Sequence, residues 1–373
     1  QIFHLADTHI RKGNVVDSRY DEYDNVFSNF VTDVKLLYKK DQCICVLCGD
    51  VFHHKLQISS HGICLFYKLI HSIADMMPLI IIQGNHDLIQ ENDDENNDLI
   101  KALLDNHEHP NIHYKDMTGS FDIDNIHFGI VSIRDMLTDM AGSGLVDDLP
   151  SFPKPSLDKL NIALSHTTVK NCLLHNYTKS TGGVPIEWFR GYDAVLLGDI
   201  HLQSVKHNKK NNILYGYPGS LIQQDFGESL FKHGFLVWNI DENNQLTNVD
   251  KYHVFNPIGR ANSKLMNNEV YINAENYIPL SDFLKCTKKP SDLHIRLYCK
   301  DNSSAIRQQI KNLLGEHDIR THIDITTSNI TSQNSESLSC SNITSINSSN
   351  TIIEFFKTHG NKDILNKNTH WEK

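Results

Sequence analysis

The segment LIIIQGNHD, residues 79–87, joins a short apolar run to a polar turn, and the same form occurs twice earlier in the chain. The earlier segments are IFHLADTH at residues 2–9 and CICVLCGD at residues 43–50. Each apolar run has the length of a strand, and each ends in charged or hydrogen-bonding side chains. This repetition predicts buried strands whose carboxyl ends bear the reactive groups, as in open α/β sheets.

The segments between the apolar runs have helical periodicity. In residues 19–39, Val26, Phe30 and Val34 recur every fourth position, so one face of a helix would be buried. A second helix is predicted after Ser59, because serine commonly caps helix N-termini. Further strand-like runs follow at residues 126–133, 161–164, 194–197, 213–217 and 234–240. The alternation predicts a layered α/β fold.

A domain boundary is predicted near Pro257, which divides residues 1–255 from a smaller α+β domain over residues 256–326. A strand, a helix and a second strand are predicted in turn from residue 293 onward. Between residues 256 and 320 there are ten Lys and Arg against seven Asp and Glu, a net of +3 in a chain of formal charge -10. The smaller domain is therefore the relatively basic part, although ordinary scatter accounts equally well for this balance.

The C-terminal part changes composition abruptly. Residues 327–350 are mostly Ser, Thr and Asn with isolated isoleucines, and such a segment has too few apolar groups to offset its chain entropy. It is predicted to be a disordered linker. Residues 351–373 regain a helical pattern, which fits either a docking helix for a partner or a frayed end.

The bulk composition is that of a globular protein, with 39% hydrophobic and 21% charged residues. No apolar run approaches the roughly 20 residues of a membrane span, and the first run is too short for a signal peptide. The eight cysteines include no pair of CxxC motifs, which favours reduced thiols. We expect an intracellular protein that does not enter the membrane, in either the nucleus or the cytoplasm.

Potential metal ligands recur where the predicted strands end. The residues concerned are Asp7, His9, Asp50, Asn85, His86, His166, Asp199 and His201. Oxygen and imidazole ligands without thiolate suit Mn²⁺, Fe²⁺ or Zn²⁺ in an open hydrolytic site. Two ions about 3.5 to 4 Å apart would clamp a phosphate and activate water. A lone DxH or GD arises easily by chance and GNHD alone is evenly balanced, whereas the whole set, each at a strand end, indicates a two-metal phosphoesterase.

The order of these motifs resembles the calcineurin-like metallophosphoesterase superfamily, whose members carry DxH, GD, GNHD, a lone His and GHxH. Within it, the match is closer to the SbcD-type nuclease subunit of double-strand-break repair complexes. That subfamily opens with HxADxH, here residues 4–9, and has a histidine three residues after the GD aspartate, here His53. The resemblance covers about residues 1–240 by motif and residues 256–326 only by domain order. It implies two mixed sheets flanked by helices, with a smaller α+β capping domain.

The resemblance also implies residue roles. The first metal would be held by Asp7, His9, Asp50 and His201, and the second by Asp50, Asn85, His166 and Asp199. His86 would act on the leaving oxygen or the transition state, and His53, with His54 as the alternative, would orient the phosphate. Asp199 departs from the family pattern, which has His there. Its carboxylate would favour a hard ion, so two Mn²⁺ ions are the favoured cofactors.

The function implied is a Mn²⁺-dependent DNA exonuclease or endonuclease on duplex ends. It would act as a homodimer, through residues 19–39 and 59–76, with an SMC-like ATPase in double-strand-break repair. The alternative is a nucleotide phosphodiesterase or phosphatase, which would have a narrow pocket and no second domain. A third possibility is an inactive scaffold, which loss of metal ligands would reveal.

Overall fold

The computed structural model describes residues 1–12, 19–55, 57–88, 98–105, 107–136, 152–174, 177–267, 269–274, 276–299 and 304–327. Residues 1–328 form one compact unit. Apart from Thr327, the predicted linker and the predicted C-terminal helix lie outside the described residues.

Two six-stranded mixed sheets make up most of this unit. The first contains, in spatial order, β12 (Leu246–His253), β11 (Gly234–Ile240), β1 (Ile2–Leu5), β2 (Ile44–Cys48), β3 (Leu79–Ile82) and β4 (Ile112–Lys115). The second contains β5 (Gly119–Ile123), β6 (Ile126–Val131), β7 (Leu160–His166), β8 (Ala194–Gly198), β10 (Ile213–Tyr217) and β9 (Ser204–Asn208). Strands β1 to β4 are mutually parallel, as are β6, β7, β8 and β10.

The two sheets pack face to face, and helices cover the outer face of the first. Along β2, Val46 packs into the core between the sheets, with Phe128 and Trp238. Its neighbour Leu47 packs on the other side, in a core that includes residues of α1 (Tyr20–Leu37) and α2 (Ser60–Ala74) such as Phe30. Because both faces are buried, the central strands are continuous apolar runs instead of alternating ones.

A third sheet follows the first two in the chain. Its order is β15 (Tyr277–Pro279), β14 (Glu269–Asn273), β13 (Ile258–Met266), β16 (Asp292–Cys299) and β17 (Arg320–Thr327). Helices α4 (Leu280–Phe283) and α5 (Ser304–Gly315) share a core with it that includes Leu293, Phe283 and Leu314. Another short α-helix of the described residues is α3 (Leu99–Leu104). The division into domains at residue 255 stays a prediction.

The structure confirms the predicted layered α/β fold. Strands β10 and β11 have the bounds expected from the sequence, and Ser59 accepts a hydrogen bond from the backbone N–H of Gly62 at 3.1 Å as the cap of α2. Within the described residues, no helix is both long enough and apolar enough to cross a membrane.

Candidate metal centre

The carboxyl ends of strands from both main sheets meet at one place. The loops after β1 and β2 are paired by backbone hydrogen bonds, from the Asp7 N–H to the Gly49 carbonyl at 3.1 Å and from the His9 N–H to the Asp50 carbonyl at 2.9 Å. Three of these residues have positive φ, at 53° for Asp7, 44° for His9 and 51° for Asp50. Non-glycine residues at positive φ are uncommon and cluster at functional sites.

A first group of side chains brings together the four residues predicted for the first metal. The Nε2 atoms of His9 and His201 are 3.0 Å apart, and Asp7 Oδ1 is 4.0 Å from the former and 3.8 Å from the latter. Asp50 Oδ2 lies 3.4 Å from His9 Nε2. Asp7, His9 and Asp50 are buried, so an ion here would be largely screened from solvent.

A second group forms around the other oxygen of the same aspartate. Asp50 Oδ1 is 3.3 Å from His166 Nε2, which is 3.0 Å from Asn85 Oδ1. The other ring nitrogen of His166 contacts the Cys48 carbonyl at 2.7 Å, which fixes the orientation of the ring. Asp50 therefore faces both groups, one oxygen to each, which is the arrangement that a bridging ligand requires.

Asp199 stands differently from the other predicted ligands. Its carboxylate accepts a hydrogen bond from the Thr168 hydroxyl, and its backbone N–H lies 3.2 Å from each carboxylate oxygen of Asp7. It lines the same pocket, but it belongs to none of the metal-ligating groups found among the described residues. Its role as a ligand stays a prediction.

The two predicted catalytic histidines lie beside the first group. The His86 backbone N–H donates to Asp50 Oδ1 at 2.9 Å, and His86 Nδ1 is 2.8 Å from the His53 carbonyl oxygen. The ring centroids of His86 and His9 are 4.8 Å apart, and those of His53 and His86 are 5.4 Å apart. His9, His53 and His86 also form a third set of nitrogens close enough to share an ion.

These side chains open onto a cavity of about 170 Å³. It is lined by His9, Arg11, Asp50, His53, Asn85, His86, Asp199, His201, Gln224 and Asp225. Arg11 brings a positive charge to a site otherwise rich in carboxylates, and its Nε is buried without a hydrogen-bond partner. An anionic ligand such as a phosphate would find both a cation and imidazole groups at this rim.

Two further side chains position the site, Glu228 and Asp87, and neither role was predicted from the sequence. Glu228 Oε1 is 2.5 Å from His201 Nδ1, so it holds the ring with its Nε2 toward the first group. Asp87 accepts three backbone N–H groups, from Gly84 at 3.0 Å, Val51 at 3.2 Å and Phe52 at 3.0 Å. Asp87 thereby joins the turn after β3 to the loop after β2, and its place in GNHD was the available signal. No motif marks Glu228.

Glycines allow the loops to approach one another closely. A Cβ on Gly84 would lie 2.2 Å from both the backbone nitrogen and Oδ1 of Asp50. One on Gly49, which has φ +77°, would lie 2.4 Å from His166 Nδ1. The glycines of GD and GNHD are therefore required by the packing of the second group.

Charge and burial oppose each other in this cluster. Burial raises the pKa of Asp7 to about 7 and holds the pKa of His9 well below its ordinary value. Burial alone would also lower the pKa of His201, but the hydrogen bond to Glu228 and the nearby carboxylates raise it to about 9. A divalent cation would satisfy the buried carboxylates and displace the His201 proton, so the donor set fits such ions and their binding would strengthen with rising pH.

Comparison with known proteins gives three informative relatives, although no family profile matches the chain. The uncharacterized protein R555 of Acanthamoeba polyphaga mimivirus is 33% identical over 245 residues, 65% of this chain but only 17% of that protein. Protein 244L of Invertebrate iridescent virus 6, named as a phosphoesterase, is 24% identical over 61% of this chain and 72% of its own. The SbcD component of the nuclease SbcCD from Staphylococcus epidermidis is 27% identical over 66% of this chain and 68% of its own. The names of the last two relatives, together with the fold and the ligand groups, support a similarity to metal-dependent phosphoesterases.

Proposed function

We propose that this chain is a two-metal DNA nuclease that hydrolyses phosphodiester bonds at duplex ends, with Mn²⁺ as its ion. The observation that carries the proposal is the position of Asp50, which faces His9 with one oxygen and His166 with the other. Asp7 and His201 complete one set of ligands and Asn85 the other, and Asp199 would join the second from the same pocket.

When bound, the ions would supply the positive charge that polarises the phosphate and lowers the pKa of the attacking water. The protein supplies the remaining groups. His86, at the rim, would protonate the leaving oxygen, and His53 beside it would orient the phosphate. Arg11 would neutralise a non-bridging oxygen. Glu228 would keep His201 in the orientation that presents Nε2.

A DNA substrate is supported by the third sheet, which phosphatases acting on small molecules do not need. Basic residues on one face of this sheet, Lys264 and Arg296, would contact phosphates without reading sequence. The name of the S. epidermidis relative makes it one subunit of a complex. For this chain we propose a partner as well, an ATPase of the SMC-like type, and a role in double-strand-break repair. A homodimer would form over α1 and α2, where the Leu36 side chain is 80% exposed.

A nucleotide phosphodiesterase or phosphatase is the second candidate, because the same ligand groups serve any phosphoester. The additional sheet favours the nuclease. An inactive scaffold is disfavoured because Asp7, His9, Asp50, Asn85, His166 and His201 converge.

The test is hydrolysis of an end-labelled blunt duplex, and separately of p-nitrophenyl phosphate, with Mn²⁺, Mg²⁺ or EDTA. We expect Mn²⁺-dependent DNA cleavage, abolished by EDTA and by Asp50→Asn but not by His207→Ala on the distant strand β9. Hydrolysis of the monoester alone would establish the phosphatase instead, and inactivity of the metal-loaded protein on both would establish the scaffold.

A further inference from the structure

We propose a further metal site on the third sheet, separate from the candidate metal centre and its two ion positions. It is formed by Asp292, His294 and His322 and suits Zn²⁺ or a similar ion. The ligand atoms of these three residues all lie within 4.8 Å of one another. The site does not depend on the proposed function.

The strand register brings the three residues to one face. Asp292 and His294 are two apart on β16, so their side chains lie on the same side of the sheet. His322 on β17 pairs directly with His294 in the parallel register. Their rings stack with centroids 4.5 Å apart and planes 18° from parallel. The pairing therefore places two imidazoles beside one carboxylate without any loop rearrangement.

One carboxylate oxygen connects the group. Asp292 Oδ1 is 3.8 Å from His294 Nε2 and 3.6 Å from His322 Nε2. These separations are too long for hydrogen bonds, and Oδ1 is buried with no hydrogen-bond partner. Ligands at about 2.0 to 2.2 Å from a tetrahedral zinc ion stand roughly 3.4 Å apart, so small side-chain rotations would complete the site. An ion at this point would satisfy the unpaired oxygen.

The surroundings decide which ion fits. Two imidazoles and one carboxylate suit zinc or a similar first-row ion better than Mg²⁺ or Ca²⁺, which prefer oxygen. Arg320 Nη1 lies 3.6 Å from Asp292 Oδ2 and opposes a cation, but it is 77% exposed, so solvent screens its charge.

The location gives the site a structural effect. Strand β17 is at the edge of the third sheet and is held to the sheet through β16. An ion bound by Asp292, His294 and His322 would cross-link this edge strand to its neighbour. With His322 exposed, water would complete the coordination and the ion would exchange with the solution.

The test is the zinc content of the full-length protein after equilibrium dialysis against buffered free Zn²⁺, compared with His322→Ala and Asp292→Asn. Ions at the candidate metal centre are present in all samples, so they cancel in the comparison. We expect each variant to hold one ion fewer per chain and to lose part of the thermal stabilisation that Zn²⁺ gives the wild type. His317→Ala, an exposed histidine after α5, is the matched control and should keep the wild-type zinc content.

Equal zinc content in wild type, His322→Ala and Asp292→Asn would overturn the proposal and leave an ion-pair cluster. Folding of the variants is checked by circular dichroism and by urea denaturation. If His322→Ala fails these checks, Asp292→Asn decides the matter, since it keeps the shape of the side chain.

Discussion

At the scale of single residues, His86 separates catalysis from metal binding. Its backbone N–H contacts Asp50 while its ring faces the cavity, so His86→Ala keeps the backbone contact and removes only the imidazole. We expect phosphodiester hydrolysis to fall by about 10² to 10⁴, the usual range for loss of a general acid. The number of Mn²⁺ ions per chain should not change.

Measuring both the metal content and the turnover rate of His86→Ala distinguishes a catalytic role of His86 from a metal-binding one. Because His9, His53 and His86 also come close enough to share an ion, loss of one ion per chain in His86→Ala would make His86 a ligand. Unchanged turnover would remove it from the reaction altogether.

Asp199 is a second position where one substitution separates two roles. A carboxylate ligand favours Mn²⁺, so Asp199→His should stay active but change its metal preference. The Zn²⁺ concentration needed for half-maximal activation should fall relative to the Mn²⁺ concentration. Titrating both ions into wild type and variant measures this ratio. An unchanged ratio, with full activity in Asp199→Ala, would limit Asp199 to its hydrogen bond with Thr168.

The predicted ligands could be found from the sequence because each directly follows an apolar strand, and parallel strands bring their carboxyl ends to one edge. Glu228 could not be found that way. It lies in a loop, 27 positions after His201, and only folding brings the two side chains together. The hydrogen bond between Asp199 and Thr168 was equally hidden, since it joins loops after two different strands.

At the scale of secondary structure, burial decided which strands were predictable. The central strands β1, β2 and β3 are buried at every position and read as continuous apolar runs. Among the strands that were not predicted, β4, β9 and β12 are half-buried or exposed edge strands with polar residues such as Lys115, His207 and Asp250. Their pairing depends on the neighbouring strand more than on their own sequence.

Helix α1 is tied to the third sheet by a buried carboxylate. Glu22 Oε2 is 2.8 Å from Arg19 Nε, and its Oε1 is 2.7 Å from Arg260 Nη1 on β13. Burial alone would raise the pKa of Glu22, but the hydrogen bonds and charges of Arg19 and Arg260 lower it to about 2. The folded state therefore gains stability from ionised Glu22 above the ordinary value of 4.5, and loses it as pH falls from 4.5 toward 2.

Glu22→Gln should lower the free energy of unfolding by about 3 kcal/mol at neutral pH, following the linkage between pKa and stability. The gap between wild type and variant should narrow in acid, because protonated Glu22 resembles glutamine. Urea denaturation at about pH 7 and about pH 3.5 measures this gap. The exposed Glu316→Gln is the control, and a gap that does not change with pH would contradict the linkage.

At the scale of the whole molecule, residues 1–328 hold all the groups assigned to chemistry. The candidate metal centre lies where the carboxyl ends of strands from the two main sheets meet, and the third sheet is joined to α1 through Arg260 and Glu22. The sequence predicted a change of organisation near Pro257, although it did not show that β13 lies at the centre of a five-stranded sheet. The residues of β13 alternate between buried and partly exposed positions, but polar side chains interrupt the apolar alternation that would have predicted a strand.

Deleting residues 329–373 should therefore leave Mn²⁺-dependent cleavage of a short duplex within about twofold of the full chain, an effect below about 0.5 kcal/mol in the barrier. Association with an SMC-like ATPase should weaken, because residues 351–373 carry the helical pattern proposed for docking. Cleavage and capture of the ATPase are measured on the same preparations, with a scrambled 351–373 sequence as the matched control. Equal capture by all three proteins would make this segment a passive extension, and loss of cleavage on truncation would place part of the catalytic machinery beyond residue 328.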